Sequence, residues 1–292
     1  NGYKFDMDEI SDSFFTRDMN SRTTMVLVNQ LLGEHRFSDS NRLEWGFGYN
    51  LTAADEPNRI RNYTGFDQGS LYFSYRIADF ENRKSSQEID DRELNGYIRN
   101  KLDLAVDRHP WKLEYGINYR NKLRDFSNQF VGVQMMGVRK DDDNVDDLSS
   151  LFHDPGFQLS KIKTIPPDLY SGTLHALAGY LLVGFSYGKL NGNAGVRYEY
   201  DRMDVQWDIN NDDPLREPRI RKEYKQFYPG INLRCNISEQ QGLRLTGSRT
   251  ITLPEFKEIA PFAYTSPNST LIQGNPELKA SRNWNADLKW EY

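Results

Sequence analysis

The residues whose types could do chemistry are placed in ways that argue against a catalytic centre. The acidic run Asp141-Asp142-Asp143-Asn144-Val145-Asp146-Asp147 could offer carboxylate and carbonyl oxygens to calcium. It lacks the mid-loop glycine and closing glutamate of a helix-loop-helix calcium site, so it reads as a solvated loop. The four histidines, His35, His109, His153 and His175, lie far apart with no metal-ligand spacing. Asp212-Asp213, and Glu199 with Asp201, are carboxylate pairs of the kind glycosidases use. In a chain with 42 acidic residues such pairs arise by chance. Nucleophile-elbow, Walker and dinucleotide-binding glycine signatures are absent. The single cysteine, Cys235, excludes an intrachain disulfide framework and sits at an apolar position, where a thiol is inert. The expectation is therefore no catalytic residue, no metal site, no cofactor and no enzyme.

The charged residues that carry more information are those that alternate with apolar ones. Glu114, Asn118 and Arg120 form one such row; Arg197, Glu199 and Asp201 another; Asn232 and Arg234 a third; Asp287, Lys289 and Glu291 a fourth. In a soluble protein they would be ordinary surface. If the opposite, apolar face meets lipid, they line a lumen, with Glu114, Arg120, Arg197, Glu199, Arg234, Asp287 and Lys289 as the lumen-facing candidates.

The elements that would position them are strands. Trp284, Ala286, Leu288, Trp290 and Tyr292 share one parity, and Asn285, Asp287, Lys289 and Glu291 the other, the period of two that defines a half-wet strand. The same pattern runs through Leu43–Tyr49, Leu94–Val106, Trp111–Tyr119, Ala194–Tyr200, Phe227–Ile237 and Leu243 onward. It is blurred over 23–37 and 173–187. Short turns (38–41, 107–110, 188–192, 238–242) alternate with long polar connections (52–92, 121–170, 208–222, 251–281). That rhythm needs the brief alternation at Leu71–Ile77 to be a hairpin arm within a loop. Up-and-down membrane barrels keep this rhythm, and a soluble sandwich has no reason to.

Composition fits. Of the 292 residues 37% are hydrophobic and 13% aromatic, and the net charge is −5. Mean hydropathy is −0.77, and no apolar run approaches the eighteen or so residues of a membrane helix. A barrel strand, by contrast, shows lipid only every second residue. Both charge signs are interspersed, so no basic face for nucleic acid is present. Several strands run to ten residues or more. Aromatics such as Trp111, Tyr119, Tyr198, Phe227, Trp284 and Trp290 gather near strand ends, as interfacial belts do.

Three ordered segments, SRTITLPEF, KEIAPFAY and GNPELKAS, followed by the alternating NADLKWEY, resemble the barrel region of TonB-dependent outer-membrane receptors of Bacteroidetes type. FYPGINLRCNIS (227–238) and NAGVRYEYDRMDV (193–205) are similar to the strands that precede these segments in such receptors. The resemblance implies import of a nutrient (a glycan, a siderophore or other metal chelate, or a peptide). It also implies a plug moved by TonB with ExbB and ExbD, outer-membrane lipid around the barrel, and no bond chemistry. The expected fold is all-β, an antiparallel up-and-down transmembrane β-barrel, incomplete at about 9–10 strands, with long extracellular loops. Residues 1–292 would form one partial barrel domain. Receptor barrels have about 22 strands, and no candidate for the plug or the closing strands is visible, so the chain is expected to be a piece of a receptor. In the substrate-selecting loops, Tyr264 and Asn275 are candidate contacts, and the Gly274-Asn275-Pro276 turn is expected to use Gly274 for a positive φ. The other reading is a soluble, surface-exposed all-β binding or adhesion module, with the apolar faces as its core.

Overall fold

The computed structural model describes residues 2–5, 13–67, 70–72, 83–106, 109–135, 141–142, 159–164, 166–210, 212–265 and 271–292. It is nearly all strand: β1 (Gly2–Phe5), β2 (Ser13–Met19), β3 (Thr23–Ser38), β4 (Asn41–Asp67), β5 (Ser70–Tyr72), β6 (Arg83–Val106), β7 (His109–Met135), β8 (Asp141–Asp142), β9 (Leu159–Thr164), β10 (Asp168–Tyr187), β11 (Leu190–Asp208), β12 (Arg219–Asn236), β13 (Gly242–Thr252), β14 (Ala263–Thr265), β15 (Leu271–Gln273) and β16 (Ser281–Glu291). One helical turn, α1 (Phe256–Ile259), precedes β14.

The main sheet runs β1-β2-β4-β6-β7-β10-β11-β12-β13-β16, every neighbour antiparallel, with β3 continuing β2 along the edge of β4. The curve does not close among the described pairings, so the architecture is an open, up-and-down β-barrel. Strands β14 and β15 form a separate small hairpin.

Strand length corrects the expected loop boundaries. Most of the connection read over 52–92 is strand, since β4 continues to Asp67 and β6 begins at Arg83. Likewise β7 continues to Met135. A membrane strand needs about 9–11 residues, yet β4 and β7 have 27 each. Their outer halves stand in water, where no lipid imposes alternation and polar sequence is compatible with strand. Cross-strand ion pairs hold the register there instead: Arg124 Nε and Nη2 donate to Asp91 at 2.5 and 2.6 Å, and Arg59 does the same to Asp18 at 2.9 and 2.6 Å. The arm at Leu71 does fold back on the tip of β4 as β5, and residues 73–77 of it lie outside the described residues. Of the acidic run only Asp141 and Asp142 are described, as strand β8 against β5.

The two faces differ as a barrel requires. Outward point Trp45, Ile117, Leu177, Leu181, Tyr198, Phe227, Leu245, Leu288 and Trp290, the last two 68% and 65% exposed. The blurred strands resolve by register: β3 turns Met25, Leu27 and Leu31 outward with Trp45, and β10 turns Leu169, Leu177 and Leu181 outward. Cys235, opposite Leu243, is on the same face. Along β11 the outward apolar band runs from Leu190 to Tyr200. That is about 33 Å of strand, or about 25 Å across the membrane at a barrel's usual tilt, the height of a barrel's lipid-facing belt. The apolar faces are therefore not the core that a soluble module would need.

Candidate functional site

The inner face is built from the polar parity of the strands. Glu44 is its hub near the short-turn end, with Arg99 at 2.6 Å, Lys101 at 2.8 Å and Arg42 at 3.3 Å. Cross-strand pairing puts Lys101 opposite Glu114, Asn118 opposite Ala178, and Ala178 opposite Glu199. Side chains then close the row. Tyr180 donates its hydroxyl to Glu114 at 2.7 Å, and Arg197 donates to Glu199 at 2.9 Å and to Asn118 at 3.0 Å. Arg120 donates to Glu93 at 2.9 Å. Asn118, Arg120, Arg197, Glu199 and the 1%-exposed Asp201 line a cavity of about 300 Å³ with Leu253 at its rim. Farther along the sheet, Arg234 and Lys289 flank Glu291 at 3.8 and 3.0 Å, and Asp287 lies opposite Thr246. Three of the seven lumen candidates, Arg120, Arg197 and Glu199, thus share one cavity, Glu114 joins Tyr180 and Arg99 beside it, and two lie around Glu291; Asp287 has only its backbone pairing among the described contacts.

Toward the long-loop end the inner face changes character. Phe126, Tyr170, Leu174, Met203, Val205 and Trp207 form an apolar floor, and the segment after β13 folds down onto it. Leu253-Pro254 breaks the strand. Glu255 starts α1, its backbone N–H donating to Glu258 Oε2 at 2.9 Å. The turn then presents Phe256, Ile259 and Phe262, all 2% exposed or less, to the floor. Two glycines make this fit. A Cβ on Gly172 would sit 2.4 Å from the Phe256 ring, and one on Gly274 would sit 1.8 Å from the Ala260 carbonyl oxygen. Gly274 is therefore needed for close approach and not for a positive φ, which among the described glycines belongs to Gly188 alone. Its N–H donates to Phe262 O, and the N–H of Asn275 donates to Glu258 O at 2.6 Å. Asn275 is thus occupied by the turn: its Oδ1 also accepts from the Glu277 N–H at 2.9 Å. Tyr264 is described by backbone only, paired with Ile272.

Charge surrounds the clamp. Lys122 and Arg124 stand 5.9 and 6.0 Å over the Phe256 ring. Burial pushes the Tyr170 hydroxyl up to about 12, and burial lowers Lys257 below the usual lysine range. Sequence reading did not single out this clamp, although the Glu255–Glu258 spacing and the Phe256, Ile259, Phe262 period of three were visible. Among the described residues no group of three metal-ligating side chains occurs.

Residues 172–292 match the outer membrane protein beta-barrel family. The protein lies in the outer membrane. Its fold is similar to that of the siderophore receptor PiuA from Acinetobacter baumannii, at TM-score 0.56 and 11% identity, with 94% of this chain matching 38% of that one. The ferric citrate transporter FecA in its unliganded form aligns at 0.44 and 9%, covering 82% of this chain and 36% of that one. The ferric preacinetobactin receptor BauA of A. baumannii aligns at 0.34 and 12%, covering 97% and 43%. The chain therefore spans less than half the length of each of these structures. No curated protein matches it by sequence. In outer-membrane barrels short turns face the periplasm and long loops the exterior, which places the clamp at the outer mouth.

Proposed function

We propose that this chain is part of the barrel of a TonB-dependent receptor that binds a nutrient at the outer mouth and imports it. The cargo class is a glycan, a siderophore or other metal chelate, or a peptide, and the energy comes through TonB with ExbB and ExbD acting on a plug. The observation that carries this reading is the inner face, where the ion pairs of Arg99 with Glu44 and Glu114, and of Arg197 with Glu199 beside Asn118, lie beneath an inward-folded segment. A polar interior suits a plug and a passing hydrophilic solute. A sheet that merely anchored the protein would have no use for it. The motifs SRTITLPEF, KEIAPFAY and GNPELKAS, which carry the resemblance to these receptors, supply Phe256, then Ile259 and Phe262, and then Gly274 of the clamp. The lumen-facing roles of Glu114, Arg120, Arg197, Glu199, Arg234, Asp287 and Lys289, and a ligand contact by Tyr264, belong to this proposal.

The test is uptake by cells carrying the whole gene, supplied in turn with ferric chelates, oligosaccharides and peptides, with TonB present or deleted. Accumulation of one cargo that needs both the gene and TonB is the expected result. Equal accumulation without TonB would refute active import. Arg197→Gln, which removes the positive charge, should lower uptake several-fold while leaving the amount of folded barrel unchanged.

A further inference from the structure

The outward face carries a charged patch that neither the barrel wall nor import requires. It lies on β10–β12, in the rows just above the apolar band that ends at Leu177, Tyr198, Tyr200 and Phe227. Lys225 pairs across from Tyr200 and lies 5.7 Å over its ring. One row higher Arg202 stands between His175 and Glu223. The next two rows hold Arg221, then Arg219, which both grip Asp204 at 3.0 and 2.6 Å. Arg202, Arg221, Lys225 and Arg219 are exposed, and among the described residues Arg202 and Lys225 make no ion pair. Glu223 turns to the Tyr200 hydroxyl. Within these rows four cations face Asp204 and Glu223, Asp204 being shared by two arginines, and Glu217 bears on Arg219 from the outer end. Ser171, Thr173 and Gln206 complete the rim of a shallow hollow between them.

Height decides what this patch meets. Each outward row is about 6.6 Å farther along the strand, or about 5 Å farther from the membrane centre. Lys225 and Arg202 thus lie within the headgroup layer, about 5–7 Å deep beyond the hydrocarbon, and Arg221 at its outer edge. A cation there faces neither water alone nor the lumen. The compact, multiply anionic group present at that depth is the phosphate of a lipid headgroup, and planar guanidinium pairs suit phosphate. We infer that Arg202, Arg221 and Lys225 form a binding site for a phosphorylated lipid of the outer leaflet, seated against Tyr200 and Leu177. Such a site would fix the barrel's depth and rotation against its lipid.

The full-length protein in neutral detergent, titrated with lipid A (a diphosphorylated glycolipid) and followed by native mass spectrometry, tests this. Wild type should bind lipid A far more tightly than a phosphocholine lipid, and more weakly as salt rises. The triple variant R202Q/R221Q/K225Q should lose affinity by on the order of a hundredfold, about fivefold per charge. Should the triple variant fail to fold, Arg202→Gln alone, which breaks no ion pair, should lose about fivefold, and Arg202→Lys should retain binding. Equal affinity for the two lipids, or no loss in the folded triple or single variant, overturns the site.

Discussion

Replacing Phe256 with alanine isolates the inward clamp. Its ring is 2% exposed, lies against the Gly172 notch of β10 and belongs to the buried cluster with Phe126, Tyr170 and Met203, so truncation removes a fully buried aromatic and leaves a cavity where the backbone of β10 cannot follow. Core Phe→Ala changes cost about 3–5 kcal/mol. None of the strand-to-strand hydrogen bonds passes through this side chain, so the loss should fall on docking of residues 253–262 and 274–280 and not on the barrel. In equilibrium terms the docked state loses a factor of roughly 10²–10⁴. Hydrogen exchange followed by mass spectrometry reads this directly: amides of 256–262 and 274–278 should lose protection while those of β10 and β11 keep theirs. Gly172→Ala supplies the cross-check. Its new Cβ would meet the Phe256 ring at 2.4 Å, an overpacking cost of about 1–3 kcal/mol, and that cost should nearly vanish once Phe256 is alanine. Unchanged protection of 256–278 in Phe256→Ala would refute the clamp. So would an additive double variant, because the ring and the glycine notch would then not be in contact.

Three further outcomes follow from particular contacts. Glu44→Gln leaves Arg42, Arg99 and Lys101 without their shared carboxylate and should cost about 2–3 kcal/mol, seen as a lower urea midpoint for barrel unfolding; an unchanged midpoint would show that the inner network adds no stability. Asn275→Ala removes the acceptor for the Glu277 N–H and should cost about 1 kcal/mol of local stability, raising exchange at 274–278 while leaving barrel unfolding untouched; equal exchange in the variant would count against the turn assignment. The hydrogen bond from Arg219, and then that from Arg221, hold Asp204 below the usual carboxylate range. A carboxyl depressed on folding contributes above its unfolded value, about pH 3.9, and loses that contribution as pH falls through the folded value. Wild type should therefore lose stability relative to Asp204→Asn from about pH 4 downward, in acid unfolding followed by circular dichroism; parallel acid limbs would contradict this.

What was legible in the sequence, and what was not, follows the solvent around each segment. Trp284 to Tyr292 showed its two faces because lipid on one side and water on the other impose a strict period on β16, a strand short enough to lie wholly within that gradient. The outer halves of β4, β6 and β7 have water on both sides. There the sequence obeys pairing rather than partition, and the determinants are single contacts such as Arg124 with Asp91, 33 positions apart. The clamp was hidden for a related reason. Phe256 is buried because residue 172 has no side chain, a fact with no local trace near 256. Gly274, read as a turn glycine, is a contact glycine, and only the approach of Ala260 distinguishes the two.

The clamp also explains why the inner face is polar in one zone and apolar in another. The inner-face row of Glu114, Arg197 and Glu199 needs no cover, since water and ion pairing satisfy it. Met203, Val205 and Trp207, on the same parity of β11 immediately above Asp201, would be exposed to that water unless something lay on them. Burying Phe256, Ile259 and Phe262 against them removes apolar surface from both partners, at roughly 1.5–3 kcal/mol for each large side chain covered. It also moves a segment that would otherwise project outward into the mouth of the barrel. The floor and the clamp are therefore one unit divided between β10–β11 and the segment after β13. A polar substitution at Val205 should release residues 253–262 and 274–280 as surely as one at Phe256.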